Sequence, residues 1–386
     1  VTSVFFRGVV RTLDEKTFEI ESEDSRFVTI QIGDKTKKPK ELALGDSVEV
    51  DAQDDGKGGF LADSIKKLDE PVKVVGGARP VETAGDKGEA PAPPDQPSTT
   101  SLKGPKYDAD DDGPPTLRRG APSPRRKPAD EMPIVAAAPV RPVEASAAAP
   151  APVSATTNPR QAFIERAKEQ GEGFLTGLPN YVCQEYTTRY VSEGKSWHAV
   201  DIVSLELLYI DGKEDYRNIQ INGKPWKKPV EESGAWSTGE FGTILRDLYS
   251  PATAAEFKYV KDSTASGFPA HMYDFKVDRA HSHWKVTIVS QSIYPSYKGS
   301  IWLDKSEARP LRIEMEATNI PSDFPEDAVE SSVDYGYVSL GTQKFFVPLK
   351  AEVLSCHRGT SVCDRNVIEF RNYHKYTGES EITFKE

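Results

Sequence analysis

Apolar residues alternate with polar ones through most of this chain, and that period of two predicts strands. The clearest case is Leu311, Ile313, Met315 and Ala317, which interleave with Arg312, Glu314 and Glu316. One face is apolar and the other charged, as in an antiparallel sheet with one wet side. The same alternation predicts strands over 181–191, 197–210, 215–221, 258–261, 271–277, 283–291, 299–303, 329–340, 344–355, 364–376 and 380–384. Helical spacing is rarer. Asn158-Pro159 is a helix-start signal, followed by Phe163, Ile164, Ala167, Phe174 and Leu175 up to Gly177. A second helical stretch follows Thr238-Gly239-Glu240, with Phe241, Ile244, Leu245 and Leu248 on one face, and a short third follows Ser250-Pro251.

The N-terminal part has its own pattern. Strands are predicted at 5–11, 17–21, 26–32, 47–50 and 60–68, with turns at Leu44-Gly45-Asp46 and Asp54-Asp55-Gly56-Lys57-Gly58-Gly59. In the third, Val28, Ile30 and Ile32 share an apolar face. Short strands separated by Gly/Asp turns predict a small barrel over residues 1–75. Residues 76–158 read as a linker. They hold more than half of the 29 prolines and one aromatic, Tyr107. Such a stretch buries too little apolar surface to offset the entropy of ordering it. Residues 159–386 form the main domain, with all five Trp and 14 of the 15 Tyr. The fold class expected is mainly β with some α.

Composition narrows the function classes. The net charge is −11, so phosphate backbones are repelled and no nucleic-acid partner is expected. No apolar run reaches the ~18 residues of a membrane-spanning helix. No charged n-region with an apolar h-region opens the chain, so an exported protein would have its leader absent from this sequence. Cys356 and Cys363 flank a turn-rich segment between two strand-like runs. Paired strands bring such residues within disulfide reach, which implies an oxidising compartment. Cys183 sits in an aromatic strand and reads as a buried small hydrophobe.

Two resemblances follow from local motifs. Gly8-Val9-Val10, Leu44-Gly45-Asp46-Ser47-Val48-Glu49-Val50 and Ala62-Asp63-Ser64-Ile65 resemble an OB-like domain of unknown function in exported bacterial proteins. Gly299-Ser300-Ile301-Trp302-Leu303-Asp304, followed by Arg309-Pro310-Leu311-Arg312-Ile313-Glu314-Met315, resembles a hairpin of the LolA-like fold. Leu178-Pro179-Asn180-Tyr181-Val182-Cys183 and 365–373 are similar to uncharacterised exported bacterial proteins. The resemblance implies an open, strongly curved β-barrel with capping helices, as in periplasmic lipoprotein carriers.

Motifs for catalysis are few. There is no Gly-x-Ser-x-Gly elbow and no Walker or Rossmann glycine loop. His281-Ser282-His283 would put two imidazoles on one strand face, but a catalytic zinc needs a third ligand, and no metal is expected. Clustering of His271, His281 and His283 round one point would point instead to a hydrolase. Asp108-Ala109-Asp110-Asp111-Asp112-Gly113 opens like a calcium loop, but its twelfth position is Arg119 and Pro114-Pro115 follows. Arg118-Arg119 and Arg125-Arg126-Lys127 read as solvated chain. No cofactor is implied and a non-enzymatic role is expected.

The aromatic stock exceeds what a thin sheet needs for its own core. A curved sheet could line an apolar pocket with Tyr186, Trp197, Leu205, Leu207, Phe241, Leu245, Trp284, Trp302 and Met315. Two readings follow. The first is a periplasmic envelope protein binding a hydrophobic ligand, either lipid or a lipoprotein acyl group. The second is an interaction or sensor module docking an envelope protein partner, with no lipid ligand. A continuous apolar cavity favours the first and a side-chain-filled barrel the second.

Overall fold

The computed structural model describes residues 2–75 and 158–375, apart from 178–180, 195, 211–212, 241 and 341–342. The acidic and basic blocks of residues 108–127 and the expected strand at 380–384 lie outside the described residues.

Five strands build the small barrel: β1 Thr2–Leu13, β2 Thr17–Ser22, β3 Phe27–Lys37, β4 Ser47–Asp54 and β5 Phe60–Lys67. β1, β2 and β3 form a meander, β4 and β5 extend it from β1, and a parallel β3–β5 pairing closes the barrel. That is the OB-like topology its motifs resemble. Its core is Val10, Phe18, Ile20, Val28, Ile30, Val48, Val50 and Ala52, none more than 1% exposed.

The main domain opens with α1 Pro159–Gly177, started by Asn158, whose side chain accepts the Arg160 amide at 3.1 Å. Strands β6 Tyr181–Glu193, β7 Ser196–Ile210, β8 Lys213–Ile221 and β9 Lys224–Pro225 follow. After α2 Thr243–Tyr249 come β10 Glu256–Ala265, β11 Phe268–Val277, β12 Val286–Ile288, β13 Gln291–Ile293, β14 Ser296–Asp304, β15 Pro310–Thr318, β16 Glu326–Leu340, β17 Gln343–His357 and β18 Val362–Lys375. All but β12 and β13 form one curved antiparallel sheet of eleven strands, ordered β10-β11-β14-β15-β16-β17-β18-β6-β7-β8-β9.

Alternation fixes its faces. Leu311, Ile313 and Met315 point to the concave side, where they join Tyr297, Ile301 and Leu303 of β14 and Val333 and Tyr335 of β16. Gly299 lets the ring of Phe275 lie across β14, because a Cβ there would come within 2.6 Å of it and collide with the Glu314 carbonyl. Leu245, Leu248 and Tyr249 of α2 and Ile164 and Ala167 of α1 pack against the same face, and all are buried. Arg312 and Glu314 point to the convex face, where Arg312 pairs with Glu314 at 2.7 Å and Asp334 at 2.6 Å.

The single strand expected over 283–291 is a hairpin instead. A 3-10 turn covers Arg279–His281, and β12 and β13 meet across Val289-Ser290, with Val289 at φ +52°. The hairpin leaves its own sheet and extends the small barrel, β13 pairing with β3 through Gln291↔Val28 and Ser292↔Phe27. The Ser290 carbonyl accepts the Thr29 amide at 2.7 Å. Alternation predicts a strand but not its partner, and here the partner is more than 250 residues away. Around the pairing, Tyr294 meets Phe27 edge to face and Arg26 bonds Gln291 at 2.8 Å. Glu21 is fully buried between Arg11 of its own barrel and Arg279 of the main domain, the latter at 2.8 Å. Arg279 also donates to the Val75 carbonyl at 3.0 Å.

Cys356 and Cys363 are directly opposed on β17 and β18 and form the expected disulfide, with Cα atoms 4.0 Å apart. Cys183 is a buried free thiol.

Two outcomes are expected. Removing one partner of a buried ion pair costs about 3–5 kcal/mol, and Arg11 partly compensates here. Arg279→Ala should therefore weaken docking by about 3 kcal/mol, read as faster hydrogen exchange at the Thr29 amide while barrel-core amides stay protected. Reduction of the Cys356–Cys363 bond should lower stability in urea melts by about 2 kcal/mol, as the short loop it closes predicts.

Candidate functional site

The concave face changes character along the sheet. Towards β14 to β16 it is apolar, and towards β6 to β8 it turns polar. On β6, Tyr181, Cys183, Glu185, Thr187 and Arg189 share the inner face and are all buried. Across β7 they oppose Tyr209, Leu207, Leu205, Val203 and Asp201. Beyond β7, Glu214 and Tyr216 of β8 oppose Tyr209 and Leu207 and so stand on this face too.

A strap formed by residues 226–240 crosses this polar end and leads into α2. Its attachment is mostly by side chains of the sheet. Arg189 makes a two-point pair with Asp201 at 2.6 Å each and donates to Ser233 Oγ at 3.0 Å. Asn366 donates to the Ala235 carbonyl at 3.2 Å. Glu214 accepts from the Gly239 amide at 3.1 Å, the Gly242 amide at 3.3 Å and Thr243 Oγ1 at 3.1 Å. A carboxylate at free N–H groups ahead of a helix satisfies donors that the helix cannot. Asp247 fixes the other end of α2 through Thr253 at 3.0 Å and His283 at 2.7 Å. Val230 is the strap's buried apolar residue.

Beneath the strap lie two buried carboxyl groups. Glu185 is 4% exposed and Glu240 5%. Burial pushes the Glu185 carboxyl well above its ordinary range, and Glu240 and Glu214 nearby push it further, against one bond from Thr187 at 3.0 Å. Burial and Glu214 push Glu240 up to about 7. Tyr216 donates to Glu214 at 2.7 Å, and its ring meets Trp236 edge to face at 6.2 Å. Cys183 is also pushed well above the ordinary thiol range, by burial first and then by Glu185 and Glu214, so its thiolate is suppressed.

The nine residues expected to line a pocket do not share one surface. Leu205, Leu207, Leu245 and Met315 lie together in the concave core. Trp284 sits at its margin, edge to face with Tyr297. Tyr186 and Trp197 face the convex side, where Arg371 and Arg365 stack on their rings. Trp302, opposite Met272 and Arg312, is partly buried and packs against the edge of that core. Phe241 lies outside the described residues. Parity along a strand separates the two faces, but a bulge between Arg189 and Tyr190 shifts β7 by one residue, and which parity is inside depends on register. The histidines are dispersed: His271 bonds Asp262 on β10 at 2.7 Å, whereas His283 bonds Asp247 on α2. His281 and His283 flank the end of a 3-10 turn rather than lying on a strand. Glu185, Glu214, Glu240 and Tyr335 did not emerge from the sequence. A Glu among the apolar positions of an aromatic strand, as at Glu185, is the signal that could have found them.

No family model matches the chain, and no curated protein matches it. Solved structures do. A domain described as an outer membrane lipoprotein-sorting protein from Vibrio parahaemolyticus is 12% identical, covers 57% of this chain and 93% of its own, and gives a TM-score of 0.31. A DUF1329 family protein from Desulfovibrio piger is 8% identical, covers 58% of this chain and 96% of its own, at 0.30. The Pseudomonas aeruginosa MucA/MucB complex matches at 10% identity, 54% of this chain, 92% of that one and 0.18. These are likenesses of fold, of the kind that the motifs of β14 and β15 resemble, and they carry no activity to this chain.

Glu240 makes stability pH-dependent. Its folded pKa of about 7 lies above its ordinary 4.5, so the folded state keeps a proton that the unfolded state loses. Stability should be greatest below about pH 4.5 and fall as pH rises to about 7, by roughly 3 kcal/mol for this group alone. Glu240→Gln should remove that part of the slope and raise stability at pH 8, measured by urea unfolding at a series of pH values.

Proposed function

We propose that this chain is a non-enzymatic protein of the bacterial cell envelope whose curved sheet takes a hydrophobic group, such as a lipid or lipoprotein acyl chain, on its concave face. The observation that carries the reading is how that face is covered. Its apolar surface is continuous from β14 to β16, and one of its covers, the strap with α2, is held at its ends by hydrogen bonds from Arg189, Asn366, Glu214 and Asp247. Such bonds contribute about 1–3 kcal/mol each and can be exchanged for water. Lifting the cover exposes apolar wall without breaking the sheet. The disulfide agrees with an oxidising compartment outside the cytoplasm.

A second reading, a protein-docking module without lipid, is favoured by a different observation. Leu245, Leu248 and Tyr249 of α2, with Ile164 and Ala167 of α1, already fill the concave face, each no more than 3% exposed. A ligand must therefore displace α2 rather than enter a ready space.

The two readings separate in one experiment on the full chain. Native mass spectrometry before and after solvent extraction, followed by addition of a fluorescent fatty acid or a synthetic lipopeptide, should show uptake at one equivalent. Arg189→Ala, which frees the strap, should raise the rate of uptake several-fold. A clean mass with no uptake by either protein would reject the lipid reading and leave the docking module.

A further inference from the structure

Where β16 begins and β17 turns into β18, one imidazole stands between two acids. Glu326 at the start of β16 is directly opposite His357 at the end of β17, and Asp364 lies on β18. His357 Nδ1 is 3.2 Å from Glu326 Oε1, and its Nε2 is 2.9 Å from Asp364 Oδ2. Glu326 is 1% exposed, and its Oε2 is buried without a partner among the described residues. The charged groups that act on this carboxyl are His357, Asp364 and Asp327. Burial outweighs the pull of His357 and raises its proton affinity. Cys356 precedes His357 and Cys363 precedes Asp364, so the disulfide ties two sides of the trio together.

Proton counting constrains the arrangement. A neutral imidazole has one N–H and one lone pair, and a carboxylate only accepts. A carboxylate at each ring nitrogen therefore calls for a second proton. It sits on the imidazole, which then faces both acids with N–H groups, or on Glu326, which then turns an O–H to Nδ1. Without it, a nitrogen lone pair faces a carboxylate oxygen at 2.9 or 3.2 Å. The closed trio thus holds a proton that the separated groups release. Closure is favoured at lower pH and is lost as pH rises. An imidazole in water changes charge between about pH 5 and 8.

The next residue carries the effect outward. The Arg358 amide donates to the Pro325 carbonyl at 2.7 Å. Its guanidinium donates to the carbonyls of Phe324 at 2.8 Å, Pro321 at 3.0 Å and Glu326 at 2.9 Å. Arg358 so grips the loop between β15 and β16. The small barrel depends on the same loop. Phe324 is buried against Val286 and Ile293 of the hairpin that pairs with β3. Arg26 of the barrel donates to the Asp323 carbonyl at 3.2 Å and lies 3.7 Å from its carboxylate.

We propose that Glu326, His357 and Asp364 form a proton-operated clamp, closed while the trio holds its second proton, and that the clamp sets how firmly the small barrel is docked on the main domain. The clamp is independent of what the concave face binds.

The test is amide hydrogen exchange of the full chain at pH 5.5 and pH 8.5, with rates corrected for the intrinsic effect of pH. Protection of the Arg358 amide should be about tenfold lower at pH 8.5, and that of the Thr29 amide at the barrel joint several-fold lower, while barrel-core amides keep theirs. In His357→Gln both differences should shrink to within about twofold, whereas His271→Gln should keep them. The Glu240 effect acts on global unfolding and persists in His357→Gln, so the two separate. Equal protection of Arg358 at the two pH values in the unaltered chain overturns the clamp, even if His357→Gln does not fold. So does a difference that survives in His357→Gln. A change at Arg358 with none at Thr29 overturns the coupling to the barrel.

Discussion

A curved sheet of eleven antiparallel strands has a concave face that must be kept from water, and the arrangement of this molecule follows from how that is done. The apolar half is closed by hydrophobic packing, since α1 and α2 set Ile164, Ala167, Leu245 and Leu248 against β14 to β16. The polar half is closed by hydrogen bonds from Arg189, Asn366 and Glu214 to the strap. The two halves differ in kind. Packing of buried side chains is a cooperative contribution, whereas side-chain bonds to a strap are local and can be released one by one. The strap is thus the element whose movement costs least.

The same polar half concentrates negative charge where water is scarce. Glu214 is balanced by the two amides and two hydroxyls that donate to it. Burial raises the proton affinity of Glu185 and Glu240 despite the bonds they accept. A core built only for stability would fill such positions with apolar side chains of similar volume. Retention of carboxyls there is a departure from local consistency.

Attachment of the small barrel obeys a separate rule. The end of β3 that β5 leaves unpaired would expose N–H and C=O groups, and β13 covers it by pairing with Phe27 and Val28. The charge at this junction is also handled differently from the strap region. Glu21 is buried, but Arg11 and Arg279 neutralise it from either side.

Much of this was legible in the residues themselves. Alternation set out the strands, as in Leu311 to Ala317, because a period of two is a local property of an extended chain. Gly/Asp turns marked the small barrel, and the spacing of Cys356 and Cys363 across a turn marked their disulfide, because both depend on neighbours in sequence. What only the tertiary structure decided were the choices made between distant segments. A bulge at Arg189 and the register of β7 put Trp197 outside and Leu205 inside. The turn at Val289 made a hairpin of one apparent strand and sent it to β3. The approach of β6, β8 and the strap made an acid group out of Glu185, Glu214 and Glu240, which stand far apart in the chain. Composition records that these residues exist, but the electrostatic cost of placing them together arises only when folding removes the water between them.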